Sequence, residues 1–525
     1  MNDLVIRASR VWAHAASCVA ISGDTITEVG DDVAIGPDTR VIDADGMTLL
    51  PGFQDAHVHV PFAGLNLLRV WLNDANTPDE YLRLVAEHVA ADPGDGWITG
   101  GGWSMTAFPS GSPHKSALDA VAPDRPVFLM NRDVHGAWLN SVALQMAGIT
   151  ADSPDPADGR IERDPQTGEP TGMLHEGAAY RVNDEIIPPP DPAQWQAAII
   201  EGQRHMHRMG VTGWQDAWVT PATQSAYIGL GDRLTARVVG ALWWDRHRGL
   251  EQIDELLERR EQRSERFHPT AVKIMVDGII ETRTGALLEP YCCTHGGRGL
   301  TYVQPEILDA AVTSLDGHGF DVHMHAIGDR AVRMALDAVQ AALTANGRRD
   351  RRHQIAHVQL IHPDDLPRFA ELDVAANCQM LWACHDAQMS ELTVPVLGEH
   401  RADWQYPFGS LARSGATMVM GSDWPVSSAN PLEQIEVGMT RVDVEQRDGV
   451  PLLPDQRVDL ETAVNAFTKG SAHINRDKRG GRIEVGARAD LTVIGADIDE
   501  FRSGCNLGDV PIVLTVAGGR VVHET

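Results

Sequence analysis

Four imidazoles, one carboxylate and one lysine close apolar runs along this chain: His57-Val58-His59, Lys273, His325, His357 and Asp423. Neutral imidazole and carboxylate are ligands that zinc, iron, manganese and nickel share, so the set reads as a metal site. The first pair ends Leu49-Leu50-Pro51-Gly52-Phe53-Gln54-Asp55-Ala56-His57-Val58-His59, where the alternation of a strand puts both rings on one face. The later residues close Thr270-Ala271-Val272-Lys273, Phe320-Asp321-Val322-His323-Met324-His325, Gln354-Ile355-Ala356-His357 and Met418-Val419-Met420-Gly421-Ser422-Asp423. Taken singly, Lys273 fits a snorkelling edge residue, His325 and His357 fit core histidines, and Asp423 fits a helix N-cap. Taken in order, they fit the C-terminal strand ends of a parallel β/α barrel, which converge on one mouth.

The elements that must position them are legible as alternating strand and helix patterns. Eight barrel strands are expected at 48–56, 211–217, 235–242, 270–277, 320–326, 353–358, 374–379 and 417–422, with helices such as 306–315 and 331–345 between them. The interval 61–210 is far longer than one connection needs, so an inserted cap is expected after the first strand. It holds Trp97, Trp103, His135, Trp138, a Pro/Asp-rich stretch at 153–158 and a hairpin over 159–174 that turns at Gln166-Thr167-Gly168. Short strands recur at both ends of the chain, and they would leave open edges unless they share a sheet. The expected fold is α/β: a (β/α)8 TIM-type barrel over 50–479, and a small β-sandwich from 1–49 plus 480–525.

With 525 residues, 43% hydrophobic and 22% charged, the chain is long enough for such a barrel and reads as a soluble globular protein. Forty-four basic against 73 acidic residues give a net charge of −29, which argues against nucleic acid or anionic membrane as partner. The opening Met1-Asn2-Asp3-Leu4-Val5-Ile6-Arg7 lacks a signal-peptide pattern, and no run reaches the ~18 apolar residues of a membrane span, so a cytoplasmic protein is expected. Cys18, Cys292, Cys293, Cys378, Cys384 and Cys505 are too few and scattered for a disulfide framework and are read as reduced thiols.

The chain resembles the amidohydrolase superfamily, and within it the amidohydrolase family 3 branch, similar to N-substituted formamide deformylases. The matching residues are Pro51-Gly52-Phe53-Gln54-Asp55-Ala56-His57-Val58-His59, Val272-Lys273-Ile274-Met275-Val276-Asp277-Gly278, His325-Ala326-Ile327-Gly328-Asp329-Arg330-Ala331 and Gly421-Ser422-Asp423-Trp424-Pro425-Val426. Arg132-Asp133-Val134-His135-Gly136-Ala137-Trp138-Leu139-Asn140-Ser141 matches as well. The resemblance implies that the terminal strands join in one β-sandwich. It also implies two divalent metal ions, with zinc as the default, and a homodimer.

An ammonium has no lone pair, so Lys273 can join a metal site only after losing its proton and being modified. The resemblance implies a carboxylated Lys273 bridging two ions, with His57, His59 and Asp423 on the first and His325 and His357 on the second. A single ion with Lys273 as a nearby cation is the alternative. In the bridged reading a metal-bound hydroxide attacks the substrate carbonyl and Asp423 shuttles the proton to the leaving nitrogen. His323, two residues before His325, is the rival ligand. Many relatives carry an acidic residue where this chain has Ala356, whose side chain is expected to point away from the mouth. Trp103, His135, Trp138, Arg283, Trp382 and Trp424 are the candidate substrate contacts, although Arg283 also fits a pairing with Asp277 or Glu281 and the tryptophans also fit a core.

The implied activity is metal-dependent hydrolysis of a C–N bond in a small N-substituted amide, with N-substituted formamides as the substrate class. Cyclic amide or imide hydrolysis and ester hydrolysis would use the same site. Ammonia-releasing relatives usually carry His-x-x-Glu, which His325-Ala326-Ile327-Gly328 and His357-Val358-Gln359-Leu360 do not match. A non-catalytic regulator on the same barrel is the other class of reading, and the complete ligand set argues against it.

Overall fold

The computed structural model describes residues 2–108, 111–292, 297–503 and 506–525, so Cys293 and Cys505 lie outside the described residues. Its centre is an eight-stranded parallel sheet: β1 (Phe53–Val58), β2 (Val211–Val219), β3 (Arg237–Trp243), β4 (Phe267–Met275), β5 (Asp321–Ala326), β6 (Gln354–His357), β7 (Ala375–Cys378) and β8 (Met418–Met420). Each strand pairs with the next in sequence, and helices supply most of the crossovers. This is a (β/α)8 barrel. Its strands are buried on both faces because side chains, among them the polar Gln215, His323, Gln354 and Asn377, fill the interior while helices cover the outside.

The helix Asp329–Asn346 shows how the outer layer is specified. Val332, Ala335, Leu336, Val339 and Ala342 recur at helical spacing and are buried, and Gly347, at φ +72°, ends the helix with its N–H on Leu343 O at 3.0 Å.

β1 and β8 close the barrel through backbone and side-chain bonds. Asp423 N donates to His57 O at 2.8 Å, His59 N donates to Trp424 O at 3.0 Å, and the Asp55 carboxylate accepts from His57 N at 2.9 Å and Ser422 N at 3.1 Å. Gly421 is required here, since a Cβ would stand 2.4 Å from that of His57.

The strand expected at 48–56 is in fact the end of one element and the start of another. Arg40–Pro51 belongs to a seven-stranded sheet, and β1 begins at Phe53. The change of sheet falls on Gly52, where a Cβ would meet Thr212 Oγ1 at 2.5 Å. The seven-stranded sheet takes Leu4–Val11, Cys18–Ser22, Thr25–Gly30 and Arg40–Pro51 from one end of the chain and Leu491–Ile494, Ile512–Ala517 and Arg520–Glu524 from the other. Its two halves pack across a shared core that includes Ile6, Val19, Ile21 and Ile26 on one side and Leu491, Val493, Leu514 and Val516 on the other.

Between β1 and β2 the chain builds a separate six-stranded sheet from Val70–Trp71, Ile98–Trp103, Val127–Asn131, Gly136–Leu139, Gly159–Arg163 and Pro170–Glu176. The last two strands are the expected hairpin. The sheet leans on the barrel's upper loops: Trp103 and Trp138 share a core with Ile279, Ile280, Ile327 and Leu360. Among the described residues no helix is long and apolar enough to cross a membrane, and Cys18, Cys292, Cys378 and Cys384 are free thiols.

Candidate metal centre

The strand ends bring His57, His59, Lys273, His325, His357 and Asp423 together in one buried cluster. Asp423 Oδ1 lies 3.0 Å from His59 Nε2 and 3.2 Å from His57 Nε2, and Asp423 Oδ2 lies 3.9 Å from His357 Nδ1. Lys273 Nζ is 3.4 Å from His57 Nε2. The His325 ring packs 4.4 Å from that of His357. Its Nε2 is engaged with Gly278 O at 3.1 Å, which leaves Nδ1 as its free ligand atom. His59 lies one residue beyond β1, at the start of the helix Val60–Leu67, so a turn rather than strand alternation brings its ring beside His57.

Close packing of these atoms does not satisfy them. Asp423 Oδ1, His59 Nδ1 and His357 Nδ1 are buried and accept or donate no hydrogen bond among the described residues. Ligand atoms of His57, His357 and Asp423 lie within 4.8 Å of one another. Orphaned lone pairs that converge in a buried site are what a cation satisfies, so this donor set fits a divalent metal.

The electrostatics agree. Burial, reinforced by nearby Lys273 and by neighbouring imidazoles, drives His57, His325 and His357 well below the usual imidazole range, which keeps them neutral and able to ligate. Burial alone would raise Asp423, but His59 beside it, with His357 and Lys273, holds it below its ordinary value. Burial lowers Lys273 to about 7 against the pull of Asp423 and Asp216. Backbone strain collects here too: His357, Val358 and Asp423 have φ of +79°, +42° and +55°.

His323 is not among the clustered ligand atoms. Its Nε2 meets His57 Nδ1 at 2.8 Å and its Nδ1 meets Gln215 Oε1 at 3.0 Å, so it sits behind His57 and braces it. Ala356 departs from expectation. It pairs with His325, two residues from Gln354, whose amide bonds Gln215 and His323 inside the barrel, so Ala356 lies on the inner face. His357, out of phase with that face, is turned inward by its left-handed backbone.

The substrate-contact candidates divide. Trp103 and Trp138 are fully buried, with indole N–H groups on Leu129 O at 2.8 Å and His114 O at 3.2 Å, so they are core of the inserted sheet and offer no face to a ligand. Trp424 is likewise buried, stacked on His205 at 4.5 Å. Trp382 is half-buried and lies flat on His357, with rings 5.4 Å apart and 4° from parallel. Arg283 is exposed at φ +61° and forms no ion pair among the described residues, so the pairing with Asp277 or Glu281 is not made.

His135 reaches the site, its ring 5.7 Å from that of His325. The rest of its motif is scaffold: Arg132 holds Gly102 O, Asn73 O and Ala75 O, and Asn140 holds Val127 N and Ala122 O. His135 Nδ1 pairs with Glu176 at 2.9 Å. Burial alone would lower His135, yet Glu176 raises it to about 9. Glu176 is itself fully buried at φ +52° and accepts from Thr284 Oγ1 at 2.8 Å. Nothing in its sequence neighbourhood marks it. Also unforeseen are the half-buried rings of Phe62, Trp218 and Trp243 next to His59; Trp218 and Trp243 fall near or at barrel strand ends, the one signal that could have singled them out.

Lone pairs without protons to meet them, set at the catalytic end of this barrel, define a metal-dependent hydrolase. The chain belongs to the amidohydrolase family, whose sequence model matches residues 40–523. It is 28% identical to an N-substituted formamide deformylase of Arthrobacter pascens, over 100% of this chain and 99% of that protein. It is 29% identical to the protein LONG AFTER FAR-RED 3 of Arabidopsis thaliana, over 97% of this chain and 88% of that one. The crystal structure of an uncharacterized metal-dependent hydrolase from Pyrococcus furiosus superposes with a TM-score of 0.71 at 25% identity, covering 94% of this chain and 99% of that chain.

Proposed function

We propose that the protein hydrolyses the C–N bond of a small N-substituted amide, with N-substituted formamides as the substrate class. The observation that carries this reading is the buried, unsatisfied Asp423 Oδ1 wedged between His57 and His59. The full-length similarity to a formamide deformylase favours the formyl group over larger acyl groups.

His57, His59 and Asp423 would hold one divalent ion, and His325 and His357 a second, with a carboxylated Lys273 between them; zinc suits this donor set. Ions bound there supply Lewis acidity, which lowers the pKa of water from ~15.7 toward about 7 and polarises a carbonyl. Asp423, kept ionised by its imidazole neighbours, takes the proton of the attacking water on a carboxylate oxygen and returns it to the leaving nitrogen. A C–O bond forms, the C–N bond breaks, and formate and an amine leave.

The test is release of formate and benzylamine from N-benzylformamide by zinc-loaded protein. Asp423→Asn is expected to lose turnover by at least about a hundredfold while keeping most of its metal. A near-native rate in that variant, or no release by metal-loaded wild type, overturns the reading.

A further inference from the structure

Phe62, Trp218 and Trp243 form a continuous aromatic wall on the His59 side of the site. The Trp218 ring stands 6.3 Å from His59 at 88°, with Phe62 at 5.9 Å and Trp243 at 5.6 Å on either flank. Trp243 is in register with Lys273 across β3 and β4, so it shares the inner face on which Lys273 reaches His57. Phe62 lies on the helix Val60–Leu67, less than one turn beyond His59.

These rings differ from the tryptophans that merely fill space. Trp103, Trp138 and Trp214 are fully buried and each indole N–H has a protein acceptor. Trp218 and Trp243 are half-buried, and neither indole N–H bonds another protein group among the described residues. The partly open ring faces of Trp218 and Trp243, one of them against His59, are therefore within reach of a ligand at the site, as the enclosed indoles are not. Across the site, among the described residues, the only ring of similar exposure touching a candidate metal-site residue is Trp382, which is already spent on stacking against His357.

We propose that the wall of Phe62, Trp218 and Trp243 is the subsite for the substrate's N-substituent and that it selects a planar aromatic group. The inference rests on the amide-hydrolase reading above, and adds to it which side of the metal centre receives the leaving amine. Edge-to-face and offset contacts with such a wall are worth about 0.5–1.5 kcal/mol per ring pair beyond the area they bury, and a methyl substituent forfeits them.

The experiment compares kcat/KM for N-benzylformamide and N-methylformamide in zinc-loaded wild type, Trp218→Ala, Trp218→Phe and Trp243→Ala, each checked for metal content. The wild type is expected to prefer the benzyl substrate. Trp218→Ala should lower that preference about tenfold, mainly through KM, and Trp218→Phe should retain most of it. Because Trp218 touches His59, Trp243→Ala supplies the same test on a ring one step removed from the ligand. An unchanged preference in both alanine variants overturns the inference while leaving the hydrolase reading intact. Should the wild type turn over neither amide, the hydrolase reading falls first. Calorimetric titration with N-benzylformamide then decides the subsite: no binding, or equal binding to wild type and the alanine variants, overturns it as well.

Discussion

Nδ1 of His57 lies 2.8 Å from Nε2 of His323, joining one imidazole to another beneath the metal centre. His323 Nδ1 is held in turn between Gln215 Oε1 at 3.0 Å and Gln354 Nε2 at 3.2 Å. Two glutamines deep in the barrel thus fix the orientation of His323, and through it the ring of His57 beside Asp423.

His323→Ala is accordingly expected to weaken metal affinity about 10–100-fold without changing the number of ions bound at saturation. Metal titration with a competing chelator reads both quantities. Loss of a full equivalent of metal would make His323 a ligand and displace the bracing role.

Lys273, lowered to about 7 by burial, is about half neutral at pH 7. Only the neutral amine adds carbon dioxide, so at a fixed concentration of dissolved carbon dioxide carboxylation should speed up as pH rises through about 7 and level off above it. Reconstitution of metal-free protein should be faster with bicarbonate, and Lys273→Ala should lose that dependence. Mass spectrometry of the intact wild type should show the added carbon dioxide in metal-loaded samples. Reconstitution indifferent to bicarbonate and pH would favour the single-ion site.

The His135–Glu176 pair predicts a stability change at alkaline pH. The folded imidazole is raised to about 9 from an ordinary 6.5, so its contribution is complete below about pH 6.5 and is lost as pH rises through about 9. Glu176→Gln leaves a buried imidazole without its counter-charge and should cost about 3 kcal/mol at pH 6, with the gap to wild type narrowing by pH 9.5. Urea unfolding at the two pH values checks this, and a constant gap would refute the linkage.

The residues of the candidate metal site were legible in sequence because they fall at strand ends, which is a local pattern. His57, Lys273, His325 and His357 lie within the last three residues of their strands, and Asp423 three residues beyond its own. The rule fails where the backbone leaves the regular strand. His59 belongs to a turn, and His357 reaches the site through φ +79° although alternation gives the inner face to its neighbour Ala356. Tryptophans were the harder case. An indole at a strand end and one in a core look alike in sequence, so Trp103, Trp138 and Trp424 stand as candidate contacts there and are buried in the fold, while nothing in the sequence singles out Trp218 and Trp243. Glu176 was invisible because its partner His135 lies in the turn before a different strand of the inserted sheet, and sequence proximity carries no information about such a pair.

The continuity of Arg40–Pro51 with β1 through Gly52 bears on the order in which the protein comes into being. The strand that leads into His57 is flanked in its own sheet by Leu4–Val11 and by Leu491–Ile494, whose Leu491 pairs with Pro51. During synthesis Arg40–Pro51 therefore emerges early but lacks its Leu491–Ile494 neighbour until more than four hundred further residues have left the ribosome. All the barrel strands are made before that neighbour appears. A chain interrupted before Leu491 would carry all six candidate ligand residues and a barrel whose entry strand is open along one edge.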